Sequence, residues 1–315
     1  MTNSVSEHFS FISRDNTEIM VYKWVPVDKK PIGVIQISHG MAETAARYER
    51  FAHVLNETGF IVYANDHRGH GKTALSIDEL GYLGDKDGFE LLVEDVAKLS
   101  DTIKKENPDL PIYLFSHSMG SFAAQRYIME YPGKIDGLIL SGSNGEQGLR
   151  LKVGKWVVKL IKMIRGRKAK SKLVDSLIFG RYNKSFYPKE TGSEWLTRDA
   201  DELANYIRDP YCGSLFPISF YDDLLASLEY IEDKENVKKI PKNLPILIVS
   251  GSQDPVGDFG KGVKKLFHRY ETCGVKDLTM KLYEGARHEL LNETNRDEVM
   301  SDIVEWLEKR RELTR

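Results

Sequence analysis

Only two cysteines, Cys212 and Cys273, occur in the 315-residue chain. Two thiols cannot staple a chain of this length, and without a CxxC pair neither zinc nor dithiol chemistry is expected. Neither sign of charge dominates: 45 Lys and Arg against 47 Asp and Glu leave a formal net charge of -2. That balance gives no reason to expect nucleic acid as a partner. Long apolar runs are also missing, since no window approaches the roughly 18 residues a membrane-crossing helix requires. Met1 to Ser10 has neither a basic start nor an apolar stretch, so no secretory signal is expected. The expectation is a cytoplasmic protein, with any electrostatic specialisation local. Internal repeats and low-complexity segments are absent as well. What is present is 41% hydrophobic residues, enough for a sizeable core in one α/β domain carrying an insertion.

The apolar pattern alternates between strand and helix. His8 to Ile12 and Glu18 to Trp24 predict a hairpin around the polar turn Arg14-Asp15-Asn16. Gly33 to Ser38 is nearly continuous in apolar residues, as a strand buried on both faces should be. Tyr48, Phe51, Ala52 and Leu55 then fall at helical spacing, with Gly59 where a C-terminal cap is wanted. Strands follow at Phe60 to Ala64, Ile112 to Phe115, Gly137 to Leu140, Ile246 to Val249 and Leu278 to Tyr283. Between and after them lie a helix on Leu92, Val96, Leu99 and Ile103, another over Met119 to Glu130, and a closing one on Val299, Ile303 and Trp306. This alternation implies a mostly parallel central sheet flanked by helices. Residues 144–242 break the rhythm after the sixth strand and read as a helical cap. Residues 1–143 and 243–315 then form the core. Open α/β sheets bind ligands at such strand ends.

The strongest local signal is Tyr113-Leu114-Phe115-Ser116-His117-Ser118-Met119-Gly120. An apolar strand runs into a helix through one sharp turn with a serine at its apex. Such an elbow needs small residues two before and two after the serine, because larger ones would clash. Gly120 meets the demand, and Ser116 stands where the G-x-S-x-G pattern has glycine. A serine hydroxyl needs a base to take its proton. Of eight histidines, His8, His53 and His268 read as surface residues. His39, His67, His70 and His117 are at strand-end loops in the N-terminal half. His288 is in the loop after the last strand, where a chain order of serine, acid, histidine puts the base. Asp254, after the strand Ile246 to Val249, is the candidate acid that orients it. A plain Asx-turn is the competing reading for Asp254, and Asp258 is the reserve. Acyl transfer also needs donors for an oxyanion. The backbone N–H of Met119 is one, and that of Met41, in Ser38-His39-Gly40-Met41-Ala42-Glu43, is assigned as the second.

Four segments resemble the monoacylglycerol lipase and lysophospholipase-like branch of the α/β-hydrolases. They are Ser38 to Glu43, Asn65-Asp66-His67-Arg68-Gly69-His70-Gly71, His117-Ser118-Met119-Gly120 and Gly285-Ala286-Arg287-His288-Glu289. The resemblance runs from about residue 7 to 310. It implies the α/β-hydrolase fold, hydrolysis of single long acyl chains on a small polar head, and Ser118, Asp254 and His288 at the family's triad positions. The substrate implied is an acyl-ester lipid, and no metal or organic cofactor is implied. Amide or peptide cleavage uses the same triad. An aminopeptidase would need a carboxylate in the cap, for which Glu194, Asp199, Asp201 and Glu202 are available. A non-catalytic ligand sensor on the same fold is the reading from another class, and an intact triad argues against it.

Two further segments carry their own alternatives. The loop Asp66 to Gly71 lacks the Gly-Lys-Ser/Thr order of a phosphate loop and reads as structural, with a buried charge pair. Segment 149–172 is basic throughout, with Lys152, Lys155, Lys159 and Lys162 along one face of a helix and Leu149, Val153, Trp156, Leu160 and Ile164 along another. Either the apolar stripe packs on the core, or it meets an anionic membrane surface.

Overall fold

The computed structural model of the chain describes residues 4–146 and 148–313. The hairpin opens the fold: β1 (Ser4–Ile12) pairs antiparallel with β2 (Glu18–Pro26). Then come β3 (Gly33–Ser38), β4 (Phe60–Asn65), β5 (Ile112–His117), β6 (Gly137–Ser141), β7 (Ile246–Gly251) and β8 (Leu278–Tyr283). Their order across the sheet is β1-β2-β4-β3-β5-β6-β7-β8. β2 runs antiparallel to both its neighbours, and every other pairing beyond it is parallel. This is the α/β-hydrolase fold.

Helices α1 (Glu49–Thr58), α2 (Gly88–Glu106) and α3 (Met119–Glu130) make the crossovers of the first half. Between β6 and β7 lies a helical insertion with α4 (Leu149–Arg165), α5 (Lys172–Phe179), α6 (Ala200–Arg208), α7 (Ile218–Glu232) and α8 (Lys234–Val237). Helices α9 (Lys261–Thr272) and α10 (Arg296–Leu313) complete the second half. The period of two sorts the inner strands between two cores. Val34, Leu114 and Leu138 face α2, α3 and α9, whereas Ile35, Tyr113, Phe115 and Ile139 face α1 and α10. Each such side chain contributes about 1.5–3 kcal/mol on burial, so the middle of the sheet is its most rigid part. The catalytic candidates hang from the C-terminal ends of these strands. Helix α1 stops at Gly59, whose φ of 98° lets its N–H turn back to Asn56 O.

The insertion rests on the core through α7, which packs between α4 and the pair α2 and α3. The apolar stripe of α4 does not pack inward. Val153, Trp156, Leu160 and Ile164 are exposed, with Trp156 at 67% and Ile164 at 75%, and the side chain of Leu149 lies outside the described residues. Leu151 and Val158 are the residues buried toward α7. The expected lysine face splits: Lys155 pairs with Glu229 and Lys162 with Asp222, both on α7, while Lys152 and Lys159 are exposed. Among the described residues no helix is long and apolar enough to cross a membrane.

The loop after β4 is buried as expected, but its charges pair differently. Asp66 does not meet Arg68. It accepts the N–H groups of Ala45 and Lys72 and the hydroxyl of Tyr22. Arg68 instead reaches Asp95 at 2.8 Å and Asp15 at 2.9 Å.

Candidate active site

At the end of β5 the chain turns sharply, and Ser118 takes φ 51°, ψ -119° before α3 begins. A non-glycine residue rarely adopts such a conformation, and the strain is sustained by its surroundings. Gly120 is required here, since a Cβ would lie 2.2 Å from Ser38 O and 2.5 Å from His39 O. Ser116 is tolerated at the first small position because its hydroxyl donates to Ile139 O on β6 at 2.8 Å. The turn lifts Ser118 Oγ toward the loop that follows β8.

There Ser118 Oγ lies 2.8 Å from His288 Nε2. His288 Nδ1 lies 3.0 Å from both carboxylate oxygens of Asp254. Asp254 is fully buried and is itself held by the Val256 N–H and the Ser250 hydroxyl. The reserve candidate Asp258 is exposed. The structure thus brings Ser118, His288 and Asp254 into one hydrogen-bonded line. Burial disfavours the charged imidazole, but the Asp254 carboxylate outweighs it and holds the His288 pKa above the ordinary histidine value. A base so oriented takes a proton from a hydroxyl and returns it to a leaving group.

The loop after β3 packs directly on this line: a Cβ on Gly40 would come within 3.2 Å of Ser118 Cβ. Its Met41 N–H donates to nothing among the described residues. Met119 is the first residue of α3, so its N–H has no partner within the helix. Both therefore offer free amides beside the serine. Behind the loop, Glu43 accepts the Gly40 N–H and the Tyr48 hydroxyl. Arg47 joins Glu43 to Glu289 in a half-buried network, bidentate on Glu289 at 2.7 and 2.8 Å. Burial opposes the Glu289 charge, yet the Arg47 fork holds its carboxyl down at about 2. Glu43, Arg47, Glu289 and Asn292 lie along a small cleft whose other wall is apolar, with Phe51, Phe115 and Met300, and which reaches His117 and Ser141. Among the described residues no group of three His, Cys, Asp or Glu is arranged to hold a metal.

The insertion closes over the histidine. Trp195 O accepts the His288 N–H, Leu196 O accepts the Glu289 N–H, and Arg287 donates to the carbonyls of Glu194 and Thr197. Tyr182 packs against Trp195 with centroids 5.1 Å apart and the rings tilted by 60°. Sequence reasoning missed Tyr182, Trp195, Glu43, Arg47 and Glu289 as parts of the site; the only signal available was that Glu43 and Glu289 lie inside two of the four quoted motifs. The cap carboxylates considered for an amine are largely committed. Glu194 accepts from Asn183 and from the N–H groups of Glu190, Thr191 and Gly192, and these bonds outweigh its desolvation to hold its pKa at about 2. Asp199 caps α6 and pairs with Arg296, and Glu202 pairs with Arg50. Asp201 is exposed.

A family model described as serine aminopeptidase S33 (Hydrolase_4) matches residues 29–295. A monoglyceride lipase of Mus musculus is 30% identical over 307 residues, covering 95% of this chain and 89% of that protein. A monoacylglycerol lipase of Mycolicibacterium smegmatis is 29% identical, covering 98% of this chain and 99% of its own length. Among solved structures, a thermostable carboxyl esterase from Bacillus coagulans in complex with glycerol superposes with a TM-score of 0.90 at 30% identity, covering 98% of this chain and 99% of that one.

Proposed function

The chain belongs to the Hydrolase_4 (serine aminopeptidase S33) family of α/β-hydrolases and is a serine hydrolase, and from that premise we propose that it removes single acyl chains from monoacylglycerols or lysophospholipids. The observation that carries the chemistry is the line from Ser118 Oγ through His288 to Asp254, with spacings of 2.8 and 3.0 Å. Ser118 attacks the ester carbonyl as His288 Nε2 takes its proton. The N–H groups of Met41 and Met119 receive the charge that develops on the carbonyl oxygen. His288 then protonates the leaving alcohol, and a water activated by the same base releases the acid.

The substrate class is supported by the relatives, which are named for monoglyceride lipase activity. Segment 144–242 is the cap. Its exposed α4 stripe, with Met163 beside Trp156 and Leu173 and Leu177 on α5, presents apolar side chains among the exposed cations Lys152, Lys159, Arg165, Lys168, Lys170 and Lys172. That combination suits peripheral contact with an anionic membrane, where acyl lipids reside. The aminopeptidase reading is disfavoured because Glu194, Asp199 and Glu202 already have partners.

The test is turnover of 1-monoacylglycerols, lysophospholipids, p-nitrophenyl esters and aminoacyl amides by the wild type and Ser118→Ala. Preference for monoacyl lipids, abolished in the variant, supports the proposal. Turnover of short esters alone removes the lipid assignment and leaves the chemistry. Preference for the amides returns the aminopeptidase reading, and activity on none of them marks a sensor.

A further inference from the structure

An oxyanion donor works only if its N–H is held at a fixed angle before the charge develops. The Met41 N–H belongs to the Gly40–Met41 peptide, and a planar peptide fixes its N–H whenever its C=O is fixed. Gly40 O lies 2.8 Å from His39 Nδ1. The direction of that bond follows from the other side of the ring. His39 Nε2 accepts the backbone N–H of His67 at 2.9 Å, so in the neutral ring the proton is on Nδ1 and His39 donates to Gly40 O. The His67 ring is fixed in the same way: Asn65 Nδ2 faces its Nδ1 at 3.3 Å, leaving Nε2 to donate to Ser38 Oγ at 3.0 Å. Ser38, His39, Asn65 and His67 are all buried. On the preceding peptide, Glu43 holds the Gly40 N–H at 2.5 Å.

The geometry points to His39 as a positioning residue for the oxyanion hole, one that aims the Met41 N–H by holding the carbonyl of the same peptide. This rests on Met41 being the second oxyanion donor. Burial lowers the His39 pKa to about 4, so the ring stays a neutral, single-tautomer donor at neutral pH. A histidine that merely filled the core would affect folding but would not distinguish substrate from transition state.

The experiment compares wild type, Ser118→Ala, His39→Gln and His39→Asn on a p-nitrophenyl ester, with kcat counted per Ser118 titrated by a fluorophosphonate. An alkyl boronic acid, which forms a tetrahedral adduct on serine, reports transition-state affinity. Glutamine reaches the place of Nε2 and abandons Gly40 O. His39→Gln should therefore lower kcat about tenfold to a hundredfold with KM held within about twofold, and weaken the boronate by a similar factor. Asparagine presents its amide where Nδ1 was, so His39→Asn should recover most of both. Wild-type kcat and boronate affinity in His39→Gln would overturn the proposal. So would a loss seen only as fewer titratable sites, equal in both variants. If Ser118→Ala kept its activity, the triad assignment would fall first and His39 with it. A preference for short esters over lipids would leave this inference standing.

Discussion

The Trp195 ring from the insertion lies 5.0 Å from the His288 imidazole, tilted by 36°, while its carbonyl accepts the His288 N–H. One residue of the cap thus holds the base by both backbone and side chain. The largest influence on the His288 pKa is burial, which lowers it. Trp195→Ala admits water to that ring, and the imidazolium becomes easier to form. The acid limb of kcat/KM should move to higher pH, with the plateau lowered about tenfold through looser positioning. A pH–rate profile on a soluble ester reads both, and an unshifted limb would show that the ring contributes no shielding.

Asp254 acts on the same pKa in the opposite sense. A base works when neutral, so activity should be lost as pH falls through the His288 pKa, which lies above the ordinary value of 6.5. Half-maximal kcat/KM on the acid side is therefore expected above pH 6.5. Asp254→Asn removes the charge that raises it and the acceptor that selects the tautomer. The limb should move down while kcat falls on the order of 10⁴-fold. Loss of rate with an unmoved limb would assign the titration to another group.

The elements that were legible share one property: burial on both sides leaves no ambiguity of face. β3 falls at the limits its apolar run predicts, and α3 begins at Met119 and ends at Glu130 as the elbow requires. Helix α4 admits two readings from sequence for the converse reason. It carries apolar residues around most of its circumference, and periodicity could not say that Leu151 and Val158, rather than Val153 and Trp156, would meet α7. The network of Glu43, Arg47 and Glu289 was invisible because it joins positions 242 residues apart. No local pattern encodes such a contact.

The pairing of Arg68 with Asp95 leaves both side chains at 1% exposure. Removing one partner strands the other charge in a medium that solvates it poorly. Arg68→Met should destabilise the fold by about 3–5 kcal/mol, whereas Arg68→Met with Asp95→Leu should recover much of the loss. Urea unfolding of both variants decides this. Equal losses in single and double variants would mean that packing, not charge, dominates.

The buried histidines predict acid sensitivity. Burial lowers the pKa of His39 and His117 to about 4 and of His70 to about 3, and takes His67 down as well. The unfolded chain, with pKa near 6.5, therefore binds protons that the folded chain refuses. Stability is full above pH 6.5 and is lost as pH falls from there toward 4. His39 alone accounts for about 3 kcal/mol over that window. Tm measured from pH 8 to 4.5 should drop most steeply below 6.5, and His39→Asn should flatten the drop. A Tm constant to pH 5 would count against neutral burial of the cluster.

If the exposed face of α4 docks on a membrane as proposed, substitutions there should separate catalysis from delivery. Trp156 at 67% and Met163 at 68% exposure are held by no core contact that a substitution would break. Trp156→Glu with Met163→Glu should leave turnover of a soluble p-nitrophenyl ester at the wild-type level. The same variant should lose co-sedimentation with vesicles containing anionic phospholipid, and with it the rate on monoacylglycerol presented in those vesicles. Replacing Lys159 and Arg165 by Gln should weaken vesicle binding by about fivefold per charge, since each cation near the surface is worth about 1 kcal/mol. Raising salt should weaken the wild type similarly, because the attraction is screened beyond about 8 Å at physiological ionic strength. If the glutamate variant bound vesicles as the wild type does, the stripe would not be the docking face.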